Sequence, residues 1–220
     1  MDSIITLTEP TSPAAEAYRT LRINLEFASL DQPLRTLLVT SSGPNEGKST
    51  ALANLAVAMA DGERAIVLVD ADLRRPSQHE LFGLPNECGL SDMFRSESAF
   101  ADPPLQSIPD STLKVLTSGP LPPIPSQLLA ARKMDQVIVR LAEQADMVLF
   151  DAPPIVAVTD ASLLASKVDG VLLVVRAGNT RREHVRAAKD RLEKVNARLV
   201  GAVLLDASFD TSLERYYTSR

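Results

Sequence analysis

"SSGPNEGKST", residues 41–50, is the stretch on which the reading of this chain turns. It departs from the pattern G-x-x-x-x-G-K-[ST] of a phosphate-binding loop at one place, where Ser42 stands in for the first glycine. The stretch is entered from "TLLVTS", an apolar run of strand length. It leads into "KSTALANLAVAMA", which carries Leu52, Leu55, Ala56 and Met59 at helical spacing. A strand, a glycine-containing loop and a helix, in that order, are the flanks such a site needs.

In loops of this kind backbone N–H groups and the helix N-terminus converge on phosphate. The expected nucleotide-binding segment is Gly43, Pro44, Asn45, Glu46, Gly47, Lys48, Ser49 and Thr50. Lys48 supplies a point charge to the outer phosphates and the Ser49 hydroxyl is a ligand for Mg²⁺. None of these roles needs a side chain at position 42, so Ser42 costs little while its backbone angles stay ordinary. Asn45 is among the residues that best tolerate a left-handed conformation.

Outward from the loop, apolar runs of strand length alternate with helix-length amphipathic stretches: "LRTLLVTS", "AIVLVDAD", "LKVLTSG", "DMVLFDAP", "DGVLLVVRAG" and "ARLVGAVLLD". Continuous Val/Leu runs separated by helices predict a buried parallel sheet. Helices are expected at about 49–61, 134–144, 160–166 and 181–196. The fold class is therefore α/β: a three-layer α/β/α sandwich with a mainly parallel sheet, P-loop NTPase-like. "DPPLQSIPDS" and "GPLPPIPSQLL" read as surface loops because prolines interrupt them. "SPAAEAYRTLRINLEF" predicts an amphipathic helix over about 13–30, with Ser12 as N-cap and Pro13 at its first position. The whole of 1–220 is read as one domain, ending in a short tail over about 207–220.

Two further strands deliver acids to the edge of the sheet that carries the loop. In "VLVDADLRRP", residues 67–76, alternation puts Asp70 and Asp72 on one side of the chain, suited to holding Mg²⁺ and accepting a proton from an incoming hydroxyl. Either aspartate can be the base. "MVLFDAPP" brings Asp151 to the same edge as the acid that reaches the metal. Arg74 and Arg75 are equally suited to touching phosphate or to a solvated basic turn. His79 and His184 have no acidic or cysteine partner at metal spacing and read as surface or capping residues.

Composition bounds the rest. With 220 residues, 45% hydrophobic and 23% charged, the chain is that of a globular protein with a sizeable core. A net charge of −5 leaves no general basic field, which argues against nucleic acid as partner. Cys88 is the lone cysteine and has no internal disulfide partner. The opening "MDSIITLTEP" lacks a basic region followed by an apolar one, and no long apolar run occurs, so a cytoplasmic protein that reaches a membrane through a partner is expected.

"SSGPNEGKST", "VLVDADLRRP" and "VLFDAPP" in this order resemble the Walker A, A′ and B motifs of the bacterial tyrosine kinases of capsular and exopolysaccharide biosynthesis, the BY-kinases. The resemblance extends to "EAYRTLR" at 16–22, "GLSDMFRSE" at 89–97 and "LTSGPLPPIPSQLL" at 116–129. It implies a protein-tyrosine autokinase that uses ATP and Mg²⁺, is regulated by a transmembrane polysaccharide co-polymerase at the inner face of the membrane, and phosphorylates C-terminal tyrosines. Tyr216 and Tyr217 of "SLERYYTSR" are the candidate acceptors. It also implies ring-like homo-oligomers contacted through Glu16, Arg19 and Arg22, which match E-x-x-R-x-x-R. From spacing alone, those three residues form an exposed flank with one Glu16–Arg19 pair.

Two departures stand beside the resemblance. Leu205 occupies the place where relatives commonly carry an asparagine suited to reading adenine, which leaves base recognition either looser or carried by Asp206. The tail has fewer tyrosines than the family's usual cluster. Division-site, partition and iron–sulfur ATPases of related fold carry a signature lysine where position 43 here is glycine, which disfavours those relatives. The short tail and Leu205 together keep open an alternative, a nucleotide-dependent regulatory ATPase or binding module of polysaccharide export with little phosphoryl transfer.

Overall fold

Side chains that alternate along each central strand separate into two cores. Leu37 and Val39 point to one face of the sheet and Leu38 to the other; Ile66 and Leu68 likewise oppose Val67 and Val69, and Met147 and Leu149 oppose Val148 and Phe150. All of these residues are almost fully buried, so both faces are covered and the strands read as unbroken apolar runs. The computed structural model describes residues 4–61 and 64–207.

The strands are β1 (Thr36–Ser41), β2 (Ile66–Asp70), β3 (Gln106–Ser107), β4 (Leu113–Leu116), β5 (Met147–Asp151), β6 (Gly170–Arg176) and β7 (Leu199–Leu205). They form one seven-stranded sheet in the order β3-β4-β2-β5-β1-β6-β7. Every neighbouring pair is parallel except β3 with β4. Helices Lys48–Ala60 and Pro13–Ala28 contribute to the core on one face; Pro125–Ala130, Arg132–Ala142, Asp160–Ala165 and Arg182–Lys194 contribute to the other. The three-layer α/β/α sandwich with a mainly parallel sheet is thus present.

The expected helices are found with boundaries displaced by one or two residues. Pro13–Ala28 begins as its sequence indicates: Ser12 Oγ accepts from the Ala15 amide at 3.2 Å and Pro13 sits at the first position. This helix packs on Lys48–Ala60, leaving the latter between the sheet and a second layer. Its residues from Ala51 to Ala60 are all buried for that reason.

Two stretches read as loops carry short elements. "DPPLQSIPDS" contains β3, which pairs antiparallel with β4 through Gln106–Val115 and Ser107–Lys114. "GPLPPIPSQLL" leads into the helix Pro125–Ala130, started by proline at its first position and held by fully buried Leu129. In the helix, burial of Leu129 outweighs the local signal of the prolines; β3, half-buried at Gln106 and exposed at Ser107, is held by its pairing with β4.

Candidate active site

β1, β2 and β5 lie side by side, and their carboxyl ends put the loop, Asp72 and Asp151 together. This is the edge at which open α/β sheets bind ligands. The loop bends through left-handed residues Asn45 (φ 59°) and Gly47 (φ 83°), as the tolerance of Asn45 suggests. A Cβ at Gly47 would stand 2.9 Å from Leu205 Cδ1, the movable end of a side chain, so it is the left-handed φ that calls for glycine here.

Lys48 Nζ lies 3.0 Å from Asp72 Oδ2, Asp151 Oδ1 and Ser49 Oγ. It is 9% exposed and Asp151 is fully buried. Burial works against the ammonium charge, but Asp151 and Asp72 outweigh it and hold the pKa above the usual lysine range. Gln78 Nε2 donates to the other oxygen of Asp151 at 2.8 Å and to the Ser49 carbonyl at 3.2 Å. Asp72 Oδ1 accepts from the amides of Arg74 at 3.4 Å and Arg75 at 3.1 Å, which turns the chain back over the loop.

Asp70 and Asp72 part company. Asp72 lines a cavity of about 570 Å³ together with the loop, Arg75 and Arg176. Asp70 is fully buried, with Oδ2 accepting from the amides of Ser77 and Gln78 at 2.9 Å each. Its Oδ1 is buried with no hydrogen-bond partner among the described residues. Burial first, and then the charge of Asp151, push its pKa up to about 8, although the Gln78 amide pulls the other way.

The donors at this site are hydroxyl and carboxylate oxygens, the hard ligands Mg²⁺ takes. Among the described residues no three acidic, histidine or cysteine side chains form a metal cage. Mg²⁺ commonly keeps water and phosphate among its ligands. Ser49, Asp72, Asp151 and the unpartnered Asp70 Oδ1 are the groups available to it.

Arg74 is neither on phosphate nor free: Nε lies 2.7 Å and Nη2 3.0 Å from the two oxygens of fully buried Asp160. Arg75 lines the cavity. His184 is exposed, and His79 is half-buried inside the helix Gln78–Phe82 rather than at its cap. Glu16 and Arg19 pair at 3.0 Å, Arg19 also donates to the Pro10 carbonyl, and Arg22 donates to the Ala58 carbonyl at 3.2 Å. Tyr216 and Tyr217 lie outside the described residues.

Beside the loop, on the far side of Gly47, a second cavity of about 620 Å³ opens between the helix Pro13–Ala28 and β7. Tyr18, Leu21, Thr50, Leu205 and Asp206 line it. Burial and then Asp206 raise the Tyr18 phenol pKa.

Gln78, Asp160 and Thr180 carry contacts no motif announced. A glutamine after Pro-Ser has no sequence signal; its role depends on where the chain turns back.

A P-loop closed by a buried lysine and two strand-end aspartates, on a mainly parallel sheet, defines a P-loop NTPase. Residues 34–206 match the family described as ParA: NUBPL iron-transfer P-loop NTPase. The iron chemistry in that description needs thiolate ligands, and Cys88 is the chain's single cysteine. The chain is 42% identical to tyrosine-protein kinase YwqD of Bacillus subtilis over 92% of its length and 85% of that protein. It is 35% identical to the putative tyrosine-protein kinase CapB of Staphylococcus aureus over 95% of its length and 91% of that protein. The kinase domain of Escherichia coli tyrosine kinase ETK superposes with a TM-score of 0.85 and 32% identity, over 94% of this chain and 82% of that one. This chain belongs to the bacterial tyrosine-protein kinases. Among the described residues, no helix is long and apolar enough to cross a membrane.

Proposed function

We propose that the protein transfers the γ-phosphoryl group of ATP to tyrosine hydroxyls, acting as an autokinase in exopolysaccharide synthesis or export. The observation that carries this reading is the meeting of Lys48, Ser49, Asp72 and Asp151 within 3.0 Å contacts at the mouth of the loop. Lys48 would turn from its carboxylates to the outer phosphates, with the loop amides binding the rest. The second cavity gives the base an apolar seat against Leu205 and Tyr18, and Asp206 offers it an acceptor. Mg²⁺ held with ATP neutralises developing phosphate charge.

Asp72 is the better candidate for the base. Though only 4% exposed, it lines the cavity, and Asp70 and Asp151 do not. The tyrosine oxygen bonds to phosphorus, the bond from phosphorus to the ADP oxygen breaks, and the phenolic proton passes to Asp72. Positioning and charge neutralisation supply most of the acceleration. Asp151, held by Gln78, serves the metal; Asp70 supports the turn that carries Gln78.

Tyr216 and Tyr217 are the proposed acceptors, presented to a neighbouring copy, and a transmembrane polysaccharide co-polymerase is the proposed activator at the membrane's inner face. Glu16, Arg19 and Arg22 would exchange their present contacts for ones across a ring. Incubation with γ-labelled ATP and Mg²⁺ tests the reading. Label on protein tyrosine is expected; label released only as free phosphate would establish the regulatory ATPase instead.

A further inference from the structure

A carboxylate inside a phosphate-binding loop is an electrostatic liability, and this loop contains one. Glu46 lines the cavity in which phosphate would sit, yet it is only 3% exposed. Two hydroxyls hold it. Ser42 Oγ stands 3.0 Å from both Glu46 oxygens, and Thr180 Oγ1 donates to Glu46 Oε1 at 2.8 Å. Gly43 leaves room for this arrangement: a Cβ there would come within 3.2 Å of Glu46 Oε1.

Thr180 belongs to another part of the fold, the turn that leaves β6. Its hydroxyl accepts from the Arg176 amide at 2.9 Å, its own amide donates to the Arg176 carbonyl at 2.9 Å, and Gly178 (φ 71°) closes the turn. The hydroxyl proton is therefore committed to Glu46, because the Arg176 amide already occupies the acceptor side. Arg176 itself donates to the Asn45 carbonyl at 3.3 Å, so the same turn grips the loop at a second point.

We propose that Thr180 is a positioning residue for nucleotide binding: with Ser42, it holds the Glu46 carboxylate away from the phosphates. This explains why serine replaces the usual glycine at position 42. The hydroxyl there is one half of the restraint. The inference rests on the nucleotide-binding reading and adds a residue to it from outside the loop.

The test uses the full chain and metal-free ADP, followed by titration calorimetry. Thr180→Val keeps the shape of the side chain and removes the hydroxyl. It is expected to weaken ADP binding about tenfold, the scale set by losing a hydrogen bond to a charged group. The weakening should shrink as salt is raised, because it is a repulsion. Thr180→Ser should bind as the wild type does. Glu46→Gln introduced into Thr180→Val should restore most of the affinity, which a purely structural role for Thr180 would not allow. Wild-type affinity in Thr180→Val, or a double variant as weak as the single one, would overturn the inference. A wild-type chain that binds no ADP would overturn the nucleotide reading itself.

Discussion

Asp70 and Asp151 stand directly opposite each other on adjacent parallel strands, yet only Asp151 reaches Lys48. Asp70 turns instead to the amides of Ser77 and Gln78. Two acids in register thus have different partners, and burial first, then the charge of Asp151, keeps a proton on Asp70 near neutral pH.

That proton gives stability a pH dependence whose sign can be worked out. The Asp70 carboxyl has its pKa raised in the folded state, so the native protein binds more protons than the unfolded chain above the ordinary carboxylate pKa near 4. Its stabilising contribution is complete below that point and is lost as pH rises towards about 8. Asp70→Asn should flatten this decline. Urea midpoints of wild type and variant at pH 5 and pH 8 measure it; parallel behaviour of the two proteins would contradict the assignment.

Lys48→Met should abolish tyrosine phosphorylation, and it should not be structurally silent. Lys48 is the cation between buried Asp72 and Asp151, and removing one partner of a buried pair costs about 3–5 kcal/mol. A lowered unfolding midpoint at neutral pH, recovering in part as the carboxylates protonate in acid, is the expected signature.

Exchanging the two neighbouring aspartates in turn separates base from support. Asp72→Asn should lower the rate of transfer by about 10²–10⁴, the range for a lost proton acceptor, with little effect on metal-free ADP affinity. Asp70→Asn should leave a larger residual rate. Equal losses measured by single-turnover labelling would remove the distinction drawn between them.

Gln78→Met removes the donor to Asp151 while keeping length and apolar bulk. The concentration of Mg²⁺ giving half-maximal transfer should rise about 10–100-fold, as when the partner of a metal ligand is lost. An unchanged Mg²⁺ requirement would show that Asp151 needs no such support.

Mixing a Lys48→Met chain with an active chain lacking its tail tests where the phosphate goes. Phosphate on Tyr216 or Tyr217 of the inactive chain, mapped by mass spectrometry, is the expected result. Modification confined to Tyr18 would rule it out.

The architecture was legible because buried parallel strands write themselves as continuous apolar runs, as β1, β2, β5 and β6 do; β4 and the half-exposed edge strand β7 also carry apolar runs. β3 is only two residues long and lies among prolines, so its pairing with β4 left no local trace. The helix Pro125–Ala130 was hidden for the same reason. Within the site, the loop and the three aspartates could be found because each follows a strand. What divides Asp70 from Asp72 could not, since alternation puts both on one side and the difference arises where Ser77 and Gln78 fold back. Arg74 shows the limit again: its partner Asp160 is 86 residues away and no spacing rule connects them.

The approach of Leu205 to Gly47 has a consequence for the order in which the protein becomes functional during synthesis. The loop is finished by residue 50, but its strand gains one neighbour only with β5 and the other with β6, and the loop's glycine meets its packing partner at residue 205. A ribosome adding about 5–20 residues per second exposes the bare loop for many seconds before these supports arrive. The phosphate cradle is therefore supported late though it is encoded early, and a chain truncated before β7 lacks the Leu205 side chain that lies against Gly47.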